Sequence, residues 1–293
     1  GSQSLTIVGG AFSVSVGNSI SISATRSVSI GQGGALSFTL IGGSGSATID
    51  AVSGMLTGTQ VGSVTVVVTA LGNASYYGPI SVSQSVTINI GTQSLVINNQ
   101  PLSLTVGSTL PISVTRSVLS SLAGGLTYSL LPNSLSATID ALGNLTALHI
   151  GTVTLTVTAV GNSNYLPISS TVGITINRGI QNLAFSSPAN VVINGGMTAS
   201  LTRTNANGSS LAALAGGVAS YSIIDTGSGS ATVDSSTGLV RGISVGFVIL
   251  QANVLGDADY FAGQLTQTIA IFYSPGAVGT GGVDMRLWLR ADN

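Results

Sequence analysis

Ser-Ala-Thr-Ile-Asp at residues 46–50 recurs unchanged at 136–140 and returns as Ser-Ala-Thr-Val-Asp at 230–234. Three further landmarks recur with it in the same order: a strand led by glutamine, a segment that ends in arginine, and a Gly-Asx-x-x-Tyr turn. They lie at Gln3, Gln93 and Gln181, at Arg26, Arg116 and Arg203, and at Tyr76, Tyr165 and Tyr260. Ordered landmarks that return three times, about every 90 residues, predict tandem domains.

Short runs within the first copy alternate apolar and polar residues, as Ser19-Ile-Ser-Ile-Ser does, and this pattern predicts strands with one buried face. Val64-Thr-Val-Val-Val-Thr-Ala breaks the alternation and predicts a strand at the centre of a sheet. Strands are expected near residues 4–9, 11–17, 19–28, 35–42, 46–50, 54–58, 63–71 and 80–90. So many short strands in one copy indicate a two-sheet Greek-key β-sandwich.

Charge is scarce, with seven Arg, eight Asp, and neither Lys nor Glu. Seven dispersed arginines do not form the basic cluster that a nucleic-acid partner requires, so none is expected. No apolar run approaches the roughly 20 residues of a membrane-spanning helix, and we expect no membrane insertion in this segment. Without Cys the chain forms no disulfides, and without Lys it forms no Lys–Asn isopeptide bonds. Uncharged strand edges leave lateral association open.

The landmarks predict three domains, at residues 1–91, 92–179 and 180–275. Residues 276–293 are interpreted as a linker and the start of a truncated further domain. The links Gly91-Thr92 and Arg178-Gly179-Ile180 are short, so we expect neighbouring domains to keep a preferred orientation in an extended, semi-rigid rod.

At these landmarks the sequence resembles the bacterial immunoglobulin-like (group 2-like) domains found in tandem in giant secreted surface adhesins, such as those of gliding bacteria. Residues 1 to about 275 carry the resemblance, through the Gln-led first strand, the Ser-Ala-Thr-Ile/Val-Asp segment and the Gly-Asn-x-x-Tyr turn. The tail from Gly281 to Asp292, which contains Trp288, looks like the opening strand of a concanavalin-like domain.

The resemblance implies an all-β chain of three tandem immunoglobulin-like Greek-key β-sandwiches and no enzyme activity. It implies a structural stalk segment of an extracellular adhesin or filament on the bacterial cell surface, projecting a binding domain for attachment or gliding motility. The expected partners are the neighbouring domains of the same chain, and a polysaccharide or surface ligand reached through a domain outside this segment. Two alternatives stay open: the domains themselves bind polysaccharide or a host surface, or they polymerise into an extracellular fibre.

Few residues are candidates for chemistry. His149 is the only histidine, so neither a zinc site nor a Ser-His-Asp triad is expected, and we predict no catalytic residue and no cofactor. Asp257 and Asp259, two residues apart, are the remaining candidates for calcium ligands, and such a site would be peculiar to the third copy.

The recurring landmark residues have structural interpretations. Asp50, Asp140 and Asp234 are expected to start turns, with a glycine at positive φ. Tyr76, Tyr165 and Tyr260 are expected to cap the end of each core with a buried ring, and stacking on a sugar is the alternative. Arg26, Arg116 and Arg203 are expected to form ion pairs with the recurring aspartates.

Overall fold

The structure is a computed structural model that describes residues 1–9, 12–98, 100, 102–131, 135–211 and 218–273. The predicted linker and truncated domain at 276–293, with Trp288, lie outside these residues. Strands dominate the described chain, and its helices are single turns. None of the described helices has the length and apolar character needed to cross a bilayer.

The first repeat has nine described strands and one helical turn. They are β1 Leu5–Val8, β2 Ser13–Ser15, β3 Ser19–Ser21, β4 Ser23–Arg26, α1 Ile30–Gly33, β5 Leu36–Ile41, β6 Ser46–Ile49, β7 Met55–Gln60, β8 Gly62–Ala70 and β9 Ile80–Asn89. The second repeat has the same order. Its elements are β10 Leu95–Ile97, β11 Leu102–Thr105, β12 Thr109–Pro111, β13 Val114–Arg116, α2 Ser120–Ala123, β14 Leu126–Leu131, β15 Ala137–Ile139, β16 Asn144–Ala147, β17 Gly151–Ala159 and β18 Ile168–Asn177.

The described part of the third repeat again contains nine strands. They are β19 Asn182–Phe185, β20 Asn190–Val192, β21 Gly196–Thr198, β22 Leu201–Thr204, β23 Ala219–Asp225, β24 Ser230–Val233, β25 Leu239–Ser244, β26 Gly246–Val254 and β27 Gly263–Phe272.

Each repeat forms the same three sheets. In the first repeat a four-stranded sheet has the order β2-β9-β8-β5, a three-stranded sheet has the order β3-β7-β6, and β1 pairs with β4. The four-stranded sheets of the other repeats are β11-β18-β17-β14 and β20-β27-β26-β23, and the three-stranded sheets are β12-β16-β15 and β21-β25-β24. The prediction of tandem immunoglobulin-like Greek-key sandwiches is therefore confirmed.

The core of the first repeat lies between its two larger sheets. On β8 the alternate residues Val64, Val66 and Val68 are at most 3% exposed, and Leu56 of β7 is fully buried. The predicted central position of this strand is confirmed, since β8 lies between β9 and β5. Its outward residues are half-buried, as the continuous apolar pattern predicted.

The single strand predicted for residues 19–28 is instead two strands. Ile22, which is 1% exposed, separates β3 from β4, and its N–H donates to Gly54 O (2.9 Å). The chain changes partner at this point, because β3 pairs with β7 whereas β4 pairs with β1. An alternating pattern reports which face is buried and carries no information about the pairing partner.

The chain divides into two compact units. Unit 1 comprises Gly1–Gln100, Ile112–Ser129 and Leu155–Val172, and unit 2 comprises Pro101–Pro111, Leu130–Thr154 and Gly173–Asn293. The division passes through the second repeat, whose strands β14, β17 and β18 contribute to both units. The domain boundaries at residues 91 and 179 therefore stay predictions.

Candidate functional site

Asp50, Asp140 and Asp234 each accept hydrogen bonds from the backbone of the turn that follows their strand. Asp234 Oδ1 accepts from the N–H groups of Ser236 (3.0 Å) and Thr237 (2.8 Å). The equivalent donors are Val52 and Ser53 for Asp50, and Leu142 and Asn144 for Asp140. The glycines that close these turns are Gly54, Gly143 and Gly238, with φ of 70°, 84° and 71°.

These hydrogen bonds lower the pKa of all three carboxyl groups, because they favour the charged form. The largest cause is the backbone N–H of Ser53 for Asp50, the side chain of Asn144 for Asp140, and the backbone N–H of Thr237 for Asp234.

Asp234→Ala is expected to destabilise the third repeat at pH 7 and to have a smaller effect in acid. A carboxyl group whose pKa is lowered by folding stabilises the folded state above its unfolded pKa of about 3.9, and this contribution is lost as the pH falls through the folded value. Urea unfolding of both proteins between pH 7 and pH 2 measures the difference. Ser235→Ala is the matched control, since Ser235 is exposed in the same turn. Equal pH dependence in the wild type and Asp234→Ala would contradict the assignment.

Two of the recurring arginines, Arg26 and Arg116, donate hydrogen bonds to oxygen atoms of their own repeats. Arg116 Nη1 donates to Gly124 O (2.8 Å), and Nη2 donates to Gln93 Oε1 (2.6 Å). Arg26 Nη1 donates to Gly34 O, the equivalent carbonyl of the first repeat. These hydrogen bonds connect β4 and β13, the strands that end in arginine, to the residues that follow the helical turns α1 and α2.

The predicted ion pairs with the recurring aspartates are wrong for Arg26 and Arg116. Those carboxylates accept hydrogen bonds from the backbone of their own turns. Arg26 and Arg116 instead donate to the carbonyl oxygens that follow the helical turns. Asp259 instead contacts His149, with 2.7 Å between Asp259 Oδ2 and His149 Nδ1. Arg203 lies at the same position in the third repeat and is 9% exposed.

The tyrosine landmark is misaligned in the first repeat. Asn162 N–H donates to Tyr165 O (2.9 Å) to close its turn, whereas Asn73 N–H donates to Tyr77 O (2.8 Å). The first turn is thus one residue longer, and Tyr77 is the counterpart of Tyr165. Tyr76 is 56% exposed, so its predicted burial is wrong. A spacing motif cannot detect one inserted residue when that residue is also tyrosine.

Tyr165 forms the first of two equivalent repeat junctions. Its ring is 9% exposed and packs with the core of the first repeat, whereas the sequence predicted a cap on its own core. Gly91 N–H donates to Asn164 O (2.8 Å), and Leu166 N–H donates to Gly91 O (2.9 Å). This first junction lies within unit 1.

Tyr260 forms the second junction in the same way, within unit 2. It is 7% exposed. Gly179 N–H donates to Asp259 O (2.8 Å), and Phe261 N–H donates to Gly179 O (3.0 Å). Each tyrosine therefore makes a parallel backbone bridge with the glycine that links two repeats.

The link glycines leave no room for a side chain. A Cβ on Gly91 would lie 2.9 Å from Tyr165 Cε1, and a Cβ on Gly179 would lie 2.9 Å from Tyr260 Cε1. Atoms of these types do not approach so closely without displacement. A side chain at either position would therefore force the tyrosine ring or the neighbouring backbone to shift.

A second pair of glycines faces the hydroxyl end of each ring. A Cβ on Gly17 would lie 3.1 Å from Tyr165 Oη, and one on Gly107 would lie 3.0 Å from Tyr260 Oη. Both glycines have positive φ, 85° and 80°, which L side chains rarely adopt.

A side-chain oxygen next to each tyrosine binds the preceding repeat. Asn164 Oδ1 accepts from Val61 N–H (3.0 Å), and Asp259 Oδ1 accepts from Ile150 N–H (2.9 Å). The two acceptors and the two donors occupy equivalent positions. Each junction thus combines backbone bridges, a buried ring and a side-chain hydrogen bond.

The two calcium candidates, Asp257 and Asp259, form hydrogen bonds with different parts of the chain. Asp257 Oδ1 accepts from the N–H groups of Asp259 (2.8 Å) and Tyr260 (2.7 Å), so it closes its own turn. Asp259 directs both of its oxygens to the preceding repeat. In the part of the chain that the structure describes, no three His, Cys, Asp or Glu side chains converge as metal ligands would. Calcium binding here stays a prediction.

His149 lies at the second junction, a role that the sequence did not reveal. Its Nδ1 is 2.7 Å from Asp259 Oδ2, and the histidine side chain is 60% exposed. Arg178 adds a hydrogen bond from Nε to Ala258 O (3.0 Å) and lies over the ring of Phe261, 5.5 Å from its centroid. The corresponding positions of the first junction hold the uncharged Gln60 and Ile90, so only the second junction carries these charged contacts.

Burial raises the pKa of the Tyr260 hydroxyl group. A hydrogen bond with the Asn205 side chain opposes this shift, and the carboxylates of Asp259 and Asp257 add to it. The hydroxyl therefore stays protonated and uncharged at neutral pH.

Asp259→Asn is expected to keep the second junction, whereas Asp259→Ala is expected to open it. Asparagine retains the acceptor for Ile150 N–H, as Asn164 demonstrates at the first junction. The measurement is amide hydrogen exchange at Ile150, which should accelerate in the alanine variant and stay slow in the asparagine variant. Acceleration in both variants would show that the negative charge of Asp259, rather than the hydrogen bond from Ile150 N–H, stabilises the second junction.

The junction residues were only partly visible in the sequence. The links containing Gly91 and Gly179 were recognised as short, but nothing identified these glycines as contact sites for tyrosine. The only available signal was the second Asx of the turn, Asn164 and Asp259, which the first repeat lacks.

No protein-family model matches the chain, and no curated protein sequence matches it. Among solved structures, it is similar to Drosophila N-cadherin EC1-4 (TM-score 0.25, 11% identity, covering 92% of this chain and 75% of that one). It is also similar to Sidekick-1 immunoglobulin domains 1–5, with a TM-score of 0.32 and 12% identity, covering 92% of this chain and 59% of that one. A third similar structure is domains 4–9 of the surface layer protein SbsC, with a TM-score of 0.29 and 12% identity, covering 83% of this chain and 40% of that one. Similarity at this level carries no functional argument, and the assignment of the fold rests on the sheets of the chain itself.

Proposed function

We propose that the chain is a structural stalk segment of a large extracellular protein on a bacterial cell surface, an adhesin or filament. In this role it projects a binding domain for attachment or gliding motility. Its own contribution is mechanical and not catalytic, and the polysaccharide or surface ligand is bound by a domain outside this segment. The surface location rests on the sequence resemblance described above.

The observation that supports this proposal is the pair of equivalent junctions. A stalk needs neighbouring repeats that resist bending, and bending is resisted when the link is short and the facing surfaces bond directly. Each junction joins its two repeats by two backbone hydrogen bonds, one side-chain hydrogen bond and a buried tyrosine ring.

Residual dipolar couplings of the whole chain test the mechanical role. Residues of the first repeat and those of the second repeat that lie in unit 1 are expected to fit one common alignment tensor. Insertion of four glycines after Gly91 is expected to separate the tensors, because it lengthens the link and displaces the ring. Separate tensors in the unmodified chain would contradict a semi-rigid stalk.

A glycan array distinguishes the stalk from a chain whose repeats bind sugar. The 293-residue chain is expected to bind none of the glycans on the array. Specific binding that is lost in Tyr76→Ala would assign a ligand-binding role to the repeats themselves, because Tyr76 is the landmark tyrosine whose ring is accessible.

A further inference from the structure

The first repeat carries half of a repeat junction at its own beginning. A Cβ on Gly1 would lie 2.6 Å from Tyr77 Cε1. The same distance is 2.9 Å at the first junction, between Gly91 and Tyr165. The Gly1 nitrogen donates to the carbonyl oxygen that precedes Tyr77 (2.9 Å), and the equivalent hydrogen bond of the first junction measures 2.8 Å. Gly1 and Tyr77 therefore have the places of Gly91 and Tyr165.

The exposure of the ring distinguishes this end from the two complete junctions. Tyr165 and Tyr260 are 9% and 7% exposed, because the preceding repeat covers each ring. Tyr77 is only half-buried, and its neighbour Tyr76 is 56% exposed. The backbone around Tyr77 thus has the geometry of a junction, and its ring is accessible to a partner.

The surface that covers the ring is described twice in this structure. It is the far end of the preceding repeat, where Gly17 or Gly107 faces the hydroxyl group of the tyrosine. The backbone carbonyl group of Val16 or Val106 lies beside the link glycine. Both complete junctions therefore show what kind of surface fits a tyrosine in this setting.

The far end of the third repeat differs at the glycine that faces the hydroxyl group. Asn194 holds this position, since its N–H donates to Gly242 O (3.0 Å) as Gly17 N–H donates to Gly58 O (2.9 Å). Among the described residues other than glycine, it has a positive φ, 59°. A Cβ on Gly17 would already lie 3.1 Å from Tyr165 Oη. The larger side chain of asparagine would therefore crowd an incoming tyrosine.

We propose that Gly1, Tyr76 and Tyr77 form a docking surface for the far end of another repeat, one with glycine at the position of Gly17. We call these three residues the leading half-junction. The partner precedes Gly1 in the same polypeptide and is of the same kind as the first and second repeats. This inference rests on the proposed stalk, because it extends the same junction by one repeat.

The link itself favours a tethered repeat over a second molecule. At both complete junctions the link glycine follows the last strand of the preceding repeat, β9 or β18, after a single intervening residue. In a second molecule docked here, the Gly1 nitrogen would stay an ammonium group, and its burial would cost free energy. In a continuous chain it is the peptide N–H that both complete junctions use. A tether also supplies a high effective concentration.

A chain in which residues 1–90 are duplicated directly ahead of Gly1 tests the proposal. The leading copy carries Tyr76→Phe/Tyr77→Phe, so that tyrosine at these positions belongs to the inner copy alone. Nitration by tetranitromethane, located by mass spectrometry, reports the accessibility of each ring. We expect nitration of Tyr77 to fall several-fold relative to the 293-residue chain. Nitration of Tyr273, which is 69% exposed, should not change.

The matched control is Gly17→Asn in the leading copy, which gives it the residue of the third repeat. Asn194 shows that asparagine accepts a positive φ at this position. We expect the nitration of Tyr77 to return to the level of the 293-residue chain. Insertion of four glycines between the leading copy and Gly1 should have the same effect. If the copy of the first repeat fails to fold, a copy of residues 91–178 replaces it, since its far end carries Gly107.

Unchanged nitration of Tyr77 in a folded duplicated chain would overturn the proposal, as would continued protection in the Gly17→Asn variant. Protection of Tyr77 in the 293-residue chain that grows with concentration, together with a dimer in sedimentation, would show that a second molecule binds here and would also overturn it. Hydrogen exchange at Gly91 separates this inference from the stalk. Slow exchange at Gly91 with an accessible Tyr77 would contradict the leading half-junction alone, whereas fast exchange at Gly91 would contradict the stalk itself.

Discussion

Tyr165→Ala is expected to lower the free energy of unfolding of the first repeat by about 3 kcal/mol, because removal of a buried aromatic ring costs its transfer free energy and leaves a cavity. The ring is 9% exposed and belongs to the core of that repeat, although it comes from the next one. Urea unfolding monitored by NMR signals of residues such as Val66 and Leu56 measures the change.

Tyr76→Ala is the matched control, since it removes the same side chain from an exposed position of the equivalent turn. We expect its effect to stay within about 0.5 kcal/mol, as for most surface substitutions. Hydrogen exchange at Gly91 and Leu166 should accelerate only in Tyr165→Ala, because these amides form the backbone bridges of the first junction. Equal effects of the two substitutions would show that the ring does not contribute to the junction.

Gly179→Val is expected to disrupt the second junction and to destabilise the chain by about 2 kcal/mol, the usual cost of forcing a side chain into a packed site. A Cβ at this position would lie 2.4 Å from Val106 O and 2.9 Å from Tyr260 Cε1. The backbone atom cannot move aside as a flexible side chain would. The ring of Tyr260 must therefore leave the glycine, and the exchange protection of Gly179 and Phe261 amides is expected to fall.

Gly173→Val separates this steric effect from the intrinsic preference of valine for strands. Gly173 is an exposed residue of β18, and a Cβ there would meet no atom within 4 Å. Valine suits an exposed strand position, so the control is expected to be neutral or slightly stabilising. Similar losses of stability at Gly173 and Gly179 would contradict the contact between Gly179 and the ring.

Much of the fold was predictable because its information is local. The alternation in Ser19-Ile-Ser-Ile-Ser and the apolar run from Val64 predicted strands and their buried faces, and recurrence along the chain predicted three copies. The break at Ile22 was not predictable, because the same buried-face pattern fits pairing with either sheet.

The candidate site was much less predictable than the fold. Asp259 suggested calcium by its spacing from Asp257, yet its carboxylate binds His149 and Ile150, which precede it by more than a hundred residues. Tyr76 matched the motif, yet Tyr77 occupies the equivalent place. In the first case the deciding contacts join residues distant in the sequence. In the second case one extra residue in the turn shifts the equivalent position, and the spacing motif matches either tyrosine.

The sequence by itself determined that this protein is all-β, repeated three times and almost without charge, because strand period, turn residues and repetition are properties of neighbouring residues. Only the tertiary structure decided which tyrosine is buried, which glycine it contacts and which acid binds the preceding repeat. These choices depend on the close approach of two repeats, where a single Cβ or a single inserted residue changes what fits.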